Sequence, residues 1–215
     1  MAETTAVPLS GRRAQAARND QRILDAAREV FLADPEAPIS AVAERAGVGI
    51  SALYRRYASK EELLRRLSGE GLQRYIAEIE TALAHEGDPW GAFVDFMQRV
   101  VDAGSGELTL RLAGTFTPTE DLYRDANRAQ ELNVRLFERT KATGGMRPDI
   151  DVNDVSLVFE LVAAVHVGND ERTRRLRRRY LTLILDAFHR PGTKLPGPPP
   201  TWKEISGRWD TSPAG

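Results

Sequence analysis

Apolar residues recur along most of the chain at the three- and four-residue spacing of amphipathic helices. Ile23, Ala26, Ala27, Val30 and Phe31 predict a helix from Asn19 or Asp20 to about Leu32. The stretch Asp34-Pro35-Glu36-Ala37-Pro38 breaks it. Two short helices are expected next, Ser40 to Ala46 and Ile50 to Tyr57, with Gly47-Val48-Gly49 between them. Ser59 and Glu62 have capping-box spacing and open a longer helix to about His85, whose face is Leu63, Leu67, Tyr75, Ile79 and Leu83. Gly69 and Gly71 weaken its middle.

Asp88-Pro89 is a cap followed by proline at the first helical position, and the helix it starts carries Trp90, Phe93, Val94, Phe96, Met97, Val100 and Val101 up to Gly104-Ser105-Gly106. A short helix, Glu107 to Ala113, and a Thr115-Phe116-Thr117-Pro118 loop follow. Thr119 to Thr143 predicts one long helix with Leu122, Ala126, Ala129, Leu132, Leu136 and Phe137 as its core positions, closed by Gly144-Gly145.

The last two predicted helices are apolar on two faces. Val152 to Val167 sets Val155, Val158, Val162 and Val165 on one and Leu157, Leu161 and Ala164 on another. Leu176 to Phe188 sets Leu176, Tyr180, Leu183 and Ala187 beside Leu181, Ile184, Leu185 and Phe188. Such helices need two covers, and the simplest second cover is the same pair from another copy, an isologous four-helix interface. A wholly internal helical core is the other solution. The candidate dimer interface is Val158, Leu161, Val162, Val165, Leu176, Tyr180, Leu183, Ile184 and Ala187.

The most informative stretch is Ile39 to Leu64, because two short helices joined by a tight glycine-containing turn form a helix-turn-helix whose second helix can enter the DNA major groove. Ser40 is a candidate cap for the first helix. Gly47 stands where the chain must take a left-handed conformation. Leu53 and Tyr57, four residues apart, form the inward row of the second helix. Ser51, Ala52, Tyr54, Arg55 and Arg56 are left to face outward or flank the groove.

The run AVAERAGVGISALYRRYASKEELL resembles the DNA-binding segment of the TetR (tetracycline-repressor-like) family of bacterial transcription regulators. The resemblance rests on Ala46-Gly47-Val48, Leu53-Tyr54, the aromatic Tyr57 and Ser59-Lys60-Glu61, preceded by an Ile-Leu-x-Ala-Ala-x-x-x-Phe pattern in the first helix. It departs at Tyr57, where the family usually has Phe, and at Ser51-Ala52, where a Gly-Thr pair is common. Ala52 cannot make the hydroxyl–phosphate contact that the resemblance implies. The candidate DNA surface is Arg12, Arg13, Ser40, Gly49, Ile50, Ser51, Ala52, Tyr54, Arg55, Tyr57 and Lys60. The resemblance also implies dimerisation through the last two long helices and a small inducer bound in the C-terminal part.

Composition limits the alternatives. The 215 residues carry a net charge of −1, with 41% hydrophobic and 28% charged residues, ordinary for a globular protein. Affinity for DNA must come from the arrangement of charge and from pairing two copies. With Cys 0, neither disulfides nor thiolate chemistry contribute. No apolar run approaches the ~18 residues that would span a membrane, and the N-terminus lacks the order of a secretory signal. A reducing, cytoplasmic setting is expected.

His85, His166 and His189 are far apart, and no metal-ligand pair, phosphate loop or nucleophile elbow is present, so no catalytic residues, metal or cofactor are expected. A ligand pocket has better candidates: Trp90, Phe93, Met97, Phe116, Tyr123, Phe137 and Phe159, with His166 or Glu160 as polar anchor. These aromatics also fit a plain core, and His166 fits the dimer interface. The basic run Arg172 to Arg179 reads as a solvated or ion-paired helix face.

The expected organisation is all-α: a flexible basic arm (1–17), an N-terminal three-helix helix-turn-helix DNA-binding domain (18–58), a C-terminal helical ligand-binding and dimerisation domain (59–190) and a Pro/Gly-rich tail (191–215). The arm fits either a minor-groove contact or a solvated tail. The tail reads as loosely ordered, although Trp202 and Trp209 suit docking on the body or covering a ligand site. The expected function is a ligand-responsive regulator, a repressor that binds a pseudo-palindromic double-stranded DNA operator as a homodimer and is released by a small apolar or aromatic effector. A helical small-molecule-binding protein of the same fold without regulatory DNA binding is the alternative.

Overall fold

The computed structural model describes residues 11–104, 108, 112–189 and 192–209, all helix, turn or coil. They fall into two compact units, divided between Leu63 and Leu64.

The N-terminal unit holds α1 (Gly11–Ala33), α2 (Ile39–Ala46) and α3 (Ile50–Arg56). Ile23, Leu24, Ala27, Phe31, Val42, Ala43, Ala46, Leu53 and Tyr57 make its core. Helix α1 begins well before the expected Asn19, so the part of the presumed flexible arm from 11 to 17 is helical. Residues 15–18 of this extension are exposed, and hence show no apolar period; side-chain bonds from Gln15 to Asn19 and from Arg18 to Gln15 support it. Residues 1–10 lie outside the described residues.

Pro38, not Ser40, occupies the cap position of α2, and Ser40 sits exposed within the helix. At the other end Gly47 has φ 64°, and its N–H bonds back to the carbonyls of Ala43 and Glu44. A side chain there would be strained by that φ and would meet Arg22 Nη2 at 3.1 Å. The same guanidinium donates to the Ala46 carbonyl at 2.6 Å and satisfies one of the helix's orphan acceptors.

Helix α4 (Lys60–Ala84) starts in the first unit, where Glu62 N–H donates to Ser59 Oγ at 3.1 Å and the Glu62 carboxylate accepts from Ala58 N–H at 2.7 Å. The second unit contains the rest of α4, with α5 (Pro89–Asp102), α6 (Glu120–Lys141), α7 (Val152–Ala163), α8 (Asp170–His189) and α9 (Trp202–Ser206). Asp88, Thr119 and Asp151 cap α5, α6 and α7 with their side chains. Ile79, Phe93, Phe96, Met97, Leu136, Phe137, Val158, Phe159, Val162, Leu181 and Leu185 form one continuous core. The expected helix Glu107 to Ala113 lies largely outside the described residues; Leu108 and Leu112 are helical and buried.

Two boundaries differ from the periodicity reading. Helix α7 stops at Ala163 rather than Val167, because Arg177 of α8 takes the carbonyls of Ala163 at 2.9 Å and Val165 at 3.1 Å. Helix α8 starts at Asp170 rather than Leu176, with Asn169 Oδ1 accepting the Arg172 N–H at 2.9 Å. Arg177 is thus buried at 8% exposure inside a run that reads as an outward basic face. Its neighbour Arg178 fits that reading, paired with Asp102 at 2.6 Å.

Candidate functional site

Helix α3 turns Leu53 inward and leaves Ile50 at 40% and Tyr54 at 48% exposure. Ser51 and Arg55 are also exposed, and Ala52 is half-buried. The outer face is therefore a small-residue patch followed by a phenol and a guanidinium, suited to close approach and to donation toward phosphates and base edges. Gly49, exposed in the turn before it, leaves open space where a Cβ would stand.

Two residues expected on this surface belong to the interior. Tyr57 is 4% exposed, and its hydroxyl donates to Asp20 Oδ1 at 2.6 Å, so it holds the end of α3 against α1. Lys60 is half-buried; its ammonium donates to the Pro35 carbonyl at 2.8 Å and lies over the Phe31 ring at 5.3 Å. Ser40 remains on the exposed side of α2. Arg12 and Arg13 belong to the first turn of α1, and their side chains lie outside the described residues.

Adjacent arginines on α3 have different fates. Arg56 Nε and Nη2 donate to the two oxygens of Asp20 at 2.7 and 2.8 Å, a fork that holds the Arg56 guanidinium above the ordinary arginine range. Arg55 has no partner among the described residues, and its charge is available at the outer face.

The second unit encloses a cavity of about 330 Å³. Leu72, Tyr75, Phe116, Leu122, Tyr123, Phe159, Trp202, Ile205 and Trp209 form apolar and aromatic walls, and Ser156, Glu160, Asn127, Gln130 and Asn133 supply polar groups. Tyr75 stacks edge to face on Phe159 with centroids 6.2 Å apart and donates its hydroxyl to Asn133 Oδ1 at 2.9 Å. Burial pushes its phenol well above the usual range.

Phe116, Tyr123 and Phe159 line the cavity as expected, as does Glu160. Phe93, Met97 and Phe137 are fully packed in the core, and Trp90 stacks on His189 at 4.8 Å, away from the cavity. His166 is exposed in the turn after α7, with Nε2 at 3.1 Å from Arg177. Tyr75, Asn133 and Ser156 escaped the sequence reading because helical spacing shows which face a residue occupies, not whether that face meets a neighbour or a void.

The candidate dimer residues divide likewise. Val158 at 5% and Val162 at 1% exposure are internal core, whereas Leu161 at 65%, Leu183 at 54% and Tyr180 at 45% face outward. Ala187 is exposed beside them, and Val165, Leu176 and Ile184 are half-buried.

Residues 23–67 match the family described as bacterial regulatory proteins, tetR family, and residues 88–189 match the C-terminal domain of SbtR-like transcriptional regulators. The chain belongs to the TetR family. It is accordingly a helix-turn-helix, DNA-binding transcriptional regulator. Among TetR proteins it is similar to the HTH-type transcriptional repressor LfrR of Mycolicibacterium smegmatis, 35% identical over 87 residues, which span 40% of this chain and 43% of that repressor. The TetR regulator SCO0520 from Streptomyces coelicolor superposes with a TM-score of 0.58 at 25% identity, over 80% of this chain and 99% of that one. LfrR from Mycobacterium smegmatis, solved in complex with proflavine, shares the fold with a TM-score of 0.59 at 23% identity, over 77% of this chain and 95% of that one. Among the described residues no helix is long and apolar enough to cross a membrane.

Proposed function

We propose that this TetR regulator is a repressor that binds a pseudo-palindromic operator as a homodimer and leaves it when an apolar or aromatic effector fills the cavity of its second unit. The observation that carries this reading is that one chain holds both an α3 face with Ser51, Tyr54 and Arg55 exposed and an aromatic-walled cavity of about 330 Å³. That volume lies at the lower end of the range for small-molecule sites, roughly 300–1,000 Å³.

The proposed dimer sets two α3 helices in successive major grooves, about 34–36 Å apart. Helix α4 is the proposed route of coupling, because it begins at Lys60 and carries Leu72 and Tyr75 of the cavity wall. An effector shifts the equilibrium only as far as it binds one conformation better than the other. The similarity to LfrR, a repressor whose solved complex holds proflavine, supports both the sign of regulation and the aromatic class of effector.

The test is selection of bound sequences from a random DNA pool, followed by Tyr54→Ala and Arg55→Ala titrated on the selected DNA at fixed salt. Both variants are expected to lose operator affinity with unchanged helical content. Wild-type affinity in both would remove α3's outer face from the contact surface. The net charge of −1 and the methyl group of Ala52 favour the second reading, a ligand-binding protein of this fold without regulatory DNA binding. A pool that yields no selected sequence supports it.

A further inference from the structure

We infer that residues 201–209 are a working part of the effector site, a lid whose indoles close over a planar aromatic molecule that is neutral or cationic. This rests on the reading of the cavity as the effector site and deepens it. Trp202, Ile205, Ser206 and Trp209 all line the cavity, and Trp209 meets Phe116 in an edge-to-face contact with centroids 5.8 Å apart.

The segment is held at both ends of its path. Arg147 donates to Asp149 at 2.6 and 2.9 Å and to the Thr193 carbonyl at 2.7 Å, and Asp149 accepts the Leu195 N–H at 2.9 Å. That pair anchors the chain where it leaves α8. Beyond 196–200, four of whose residues are prolines, Thr201 and Glu204 form a reciprocal capping box that gives the five-residue α9 a defined start. An anchored strap ending in a small preformed helix is the construction of a wall that can swing without being lost.

Volume decides between a wall and a plug. With 201–209 in place the cavity still measures about 330 Å³, room for a tricyclic ring system, so the segment encloses the space rather than filling it. The walls decide the class of ligand. Tyr75, Phe116, Phe159, Trp202 and Trp209 offer ring faces and edges, which suit a flat aromatic. Asn127 and Gln130 from α6 add amide groups. Glu160 adds a carboxyl group, and an anionic ligand meets no Lys or Arg among the described lining residues.

The experiment titrates the full-length protein with 9-aminoacridine (a planar cation), phenazine (planar, neutral) and 8-anilinonaphthalene-1-sulfonate (an anion), following tryptophan and dye fluorescence. The Trp90→Phe background leaves Trp202 and Trp209 as the only reporters, since the protein has Trp 3. The acridine and phenazine are expected to bind and quench that emission. Trp209→Ala weakens both by about tenfold, the scale of losing one aromatic contact and its buried area, while Trp209→Phe keeps an aromatic edge toward Phe116 and most of the affinity. Equal affinity in Trp209→Ala overturns the lid, and tighter binding makes the segment a plug. Binding of the sulfonate as tight as that of the acridine, or of no dye at all, overturns the ligand class. Anisotropy of operator DNA with and without dye separates the two claims: dye that binds under the lid but leaves DNA affinity unchanged overturns effector release alone.

Discussion

At the scale of single residues, Asp20 decides which α3 guanidinium is left for the proposed DNA contact. Asp20 is 9% exposed, and its carboxylate is occupied by the Arg56 fork and the Tyr57 hydroxyl, which leaves Arg55 as the α3 cation not held by a carboxylate. Arg55→Ala, which removes one such cation from each half of the proposed dimer, is expected to weaken operator binding and lower the slope of log K against log salt by about two, measured by anisotropy over a salt series. Arg56→Ala is expected to act on folding, destabilising the N-terminal unit by about 1–2 kcal/mol in a urea titration. That range allows for solvent screening at a largely exposed guanidinium while recognising that Asp20 stays buried. A reversal, with Arg56→Ala changing the salt slope and Arg55→Ala changing stability, would falsify the division. The sequence placed both arginines outward, correctly for their backbone, but the partner that separates them is 36 positions away, beyond any local pattern. Gly47 was legible for the opposite reason: the need for φ 64° is local and few residues other than glycine meet it. Tyr57 was expected both in the inward row with Leu53 and on the candidate DNA surface; at 4% exposure it takes the inward place that the four-residue spacing indicates.

At the scale of elements, helix starts were readable where the cap is a side chain close in sequence. Asp88, Thr119 and Ser59 mark theirs within a residue, whereas the Thr201-x-x-Glu204 box that starts α9 went unread inside a segment whose prolines and glycines suggested looseness. Ends fixed by distant groups were not readable. Arg177 closes α7 from 14 residues beyond Ala163. Replacing Arg177 by Leu leaves the carbonyls of Ala163 and Val165 without that donor, so a loss of about 2 kcal/mol is expected, read as a fall in melting temperature of about 4–8 °C. An unchanged melting temperature would mean that water serves these carbonyls as well.

The strap from α8 to α9 carries its own pH dependence. The Arg147 guanidinium, then the Leu195 N–H, hold the Asp149 carboxyl far below the usual carboxylate range. A depressed folded-state pKa contributes stability that is complete above the ordinary Asp value near ~3.9 and fades as pH falls below it toward the folded value. Acid titration is therefore expected to alter Trp202 and Trp209 emission below about pH 4. Asp149→Asn should already show the altered emission at neutral pH. Identical emission in wild type and variant at pH 7 would show that the anchor does not hold the lid.

At the scale of the whole molecule, the all-helical architecture followed from the 3.6-residue period, whereas the cavity did not, because a void is a property of packed helices and leaves no period in any one of them. The two-faced character of α7 and α8 was legible, and the structure resolves which face is which: Val158 and Val162 inward, Leu161, Tyr180 and Leu183 outward. Large apolar side chains 45–65% exposed on two neighbouring helices form the kind of patch that a second copy covers. The chain's net charge of −1 makes this assembly matter for function, because a single α3 carries little electrostatic attraction for DNA. Tethering two α3 helices converts the second half-site contact into an intramolecular event, worth about 10²–10⁴ in affinity. Leu183→Lys places a charge in the centre of the proposed interface and nowhere near the internal core, since Leu181 and Leu185 carry that packing. The expected result is a monomer in sedimentation equilibrium with unchanged helical content, and a full operator bound at least about 100-fold more weakly, with a single half-site bound as before. A Leu183→Lys protein that still sediments as a dimer would move the interface off the α7–α8 face.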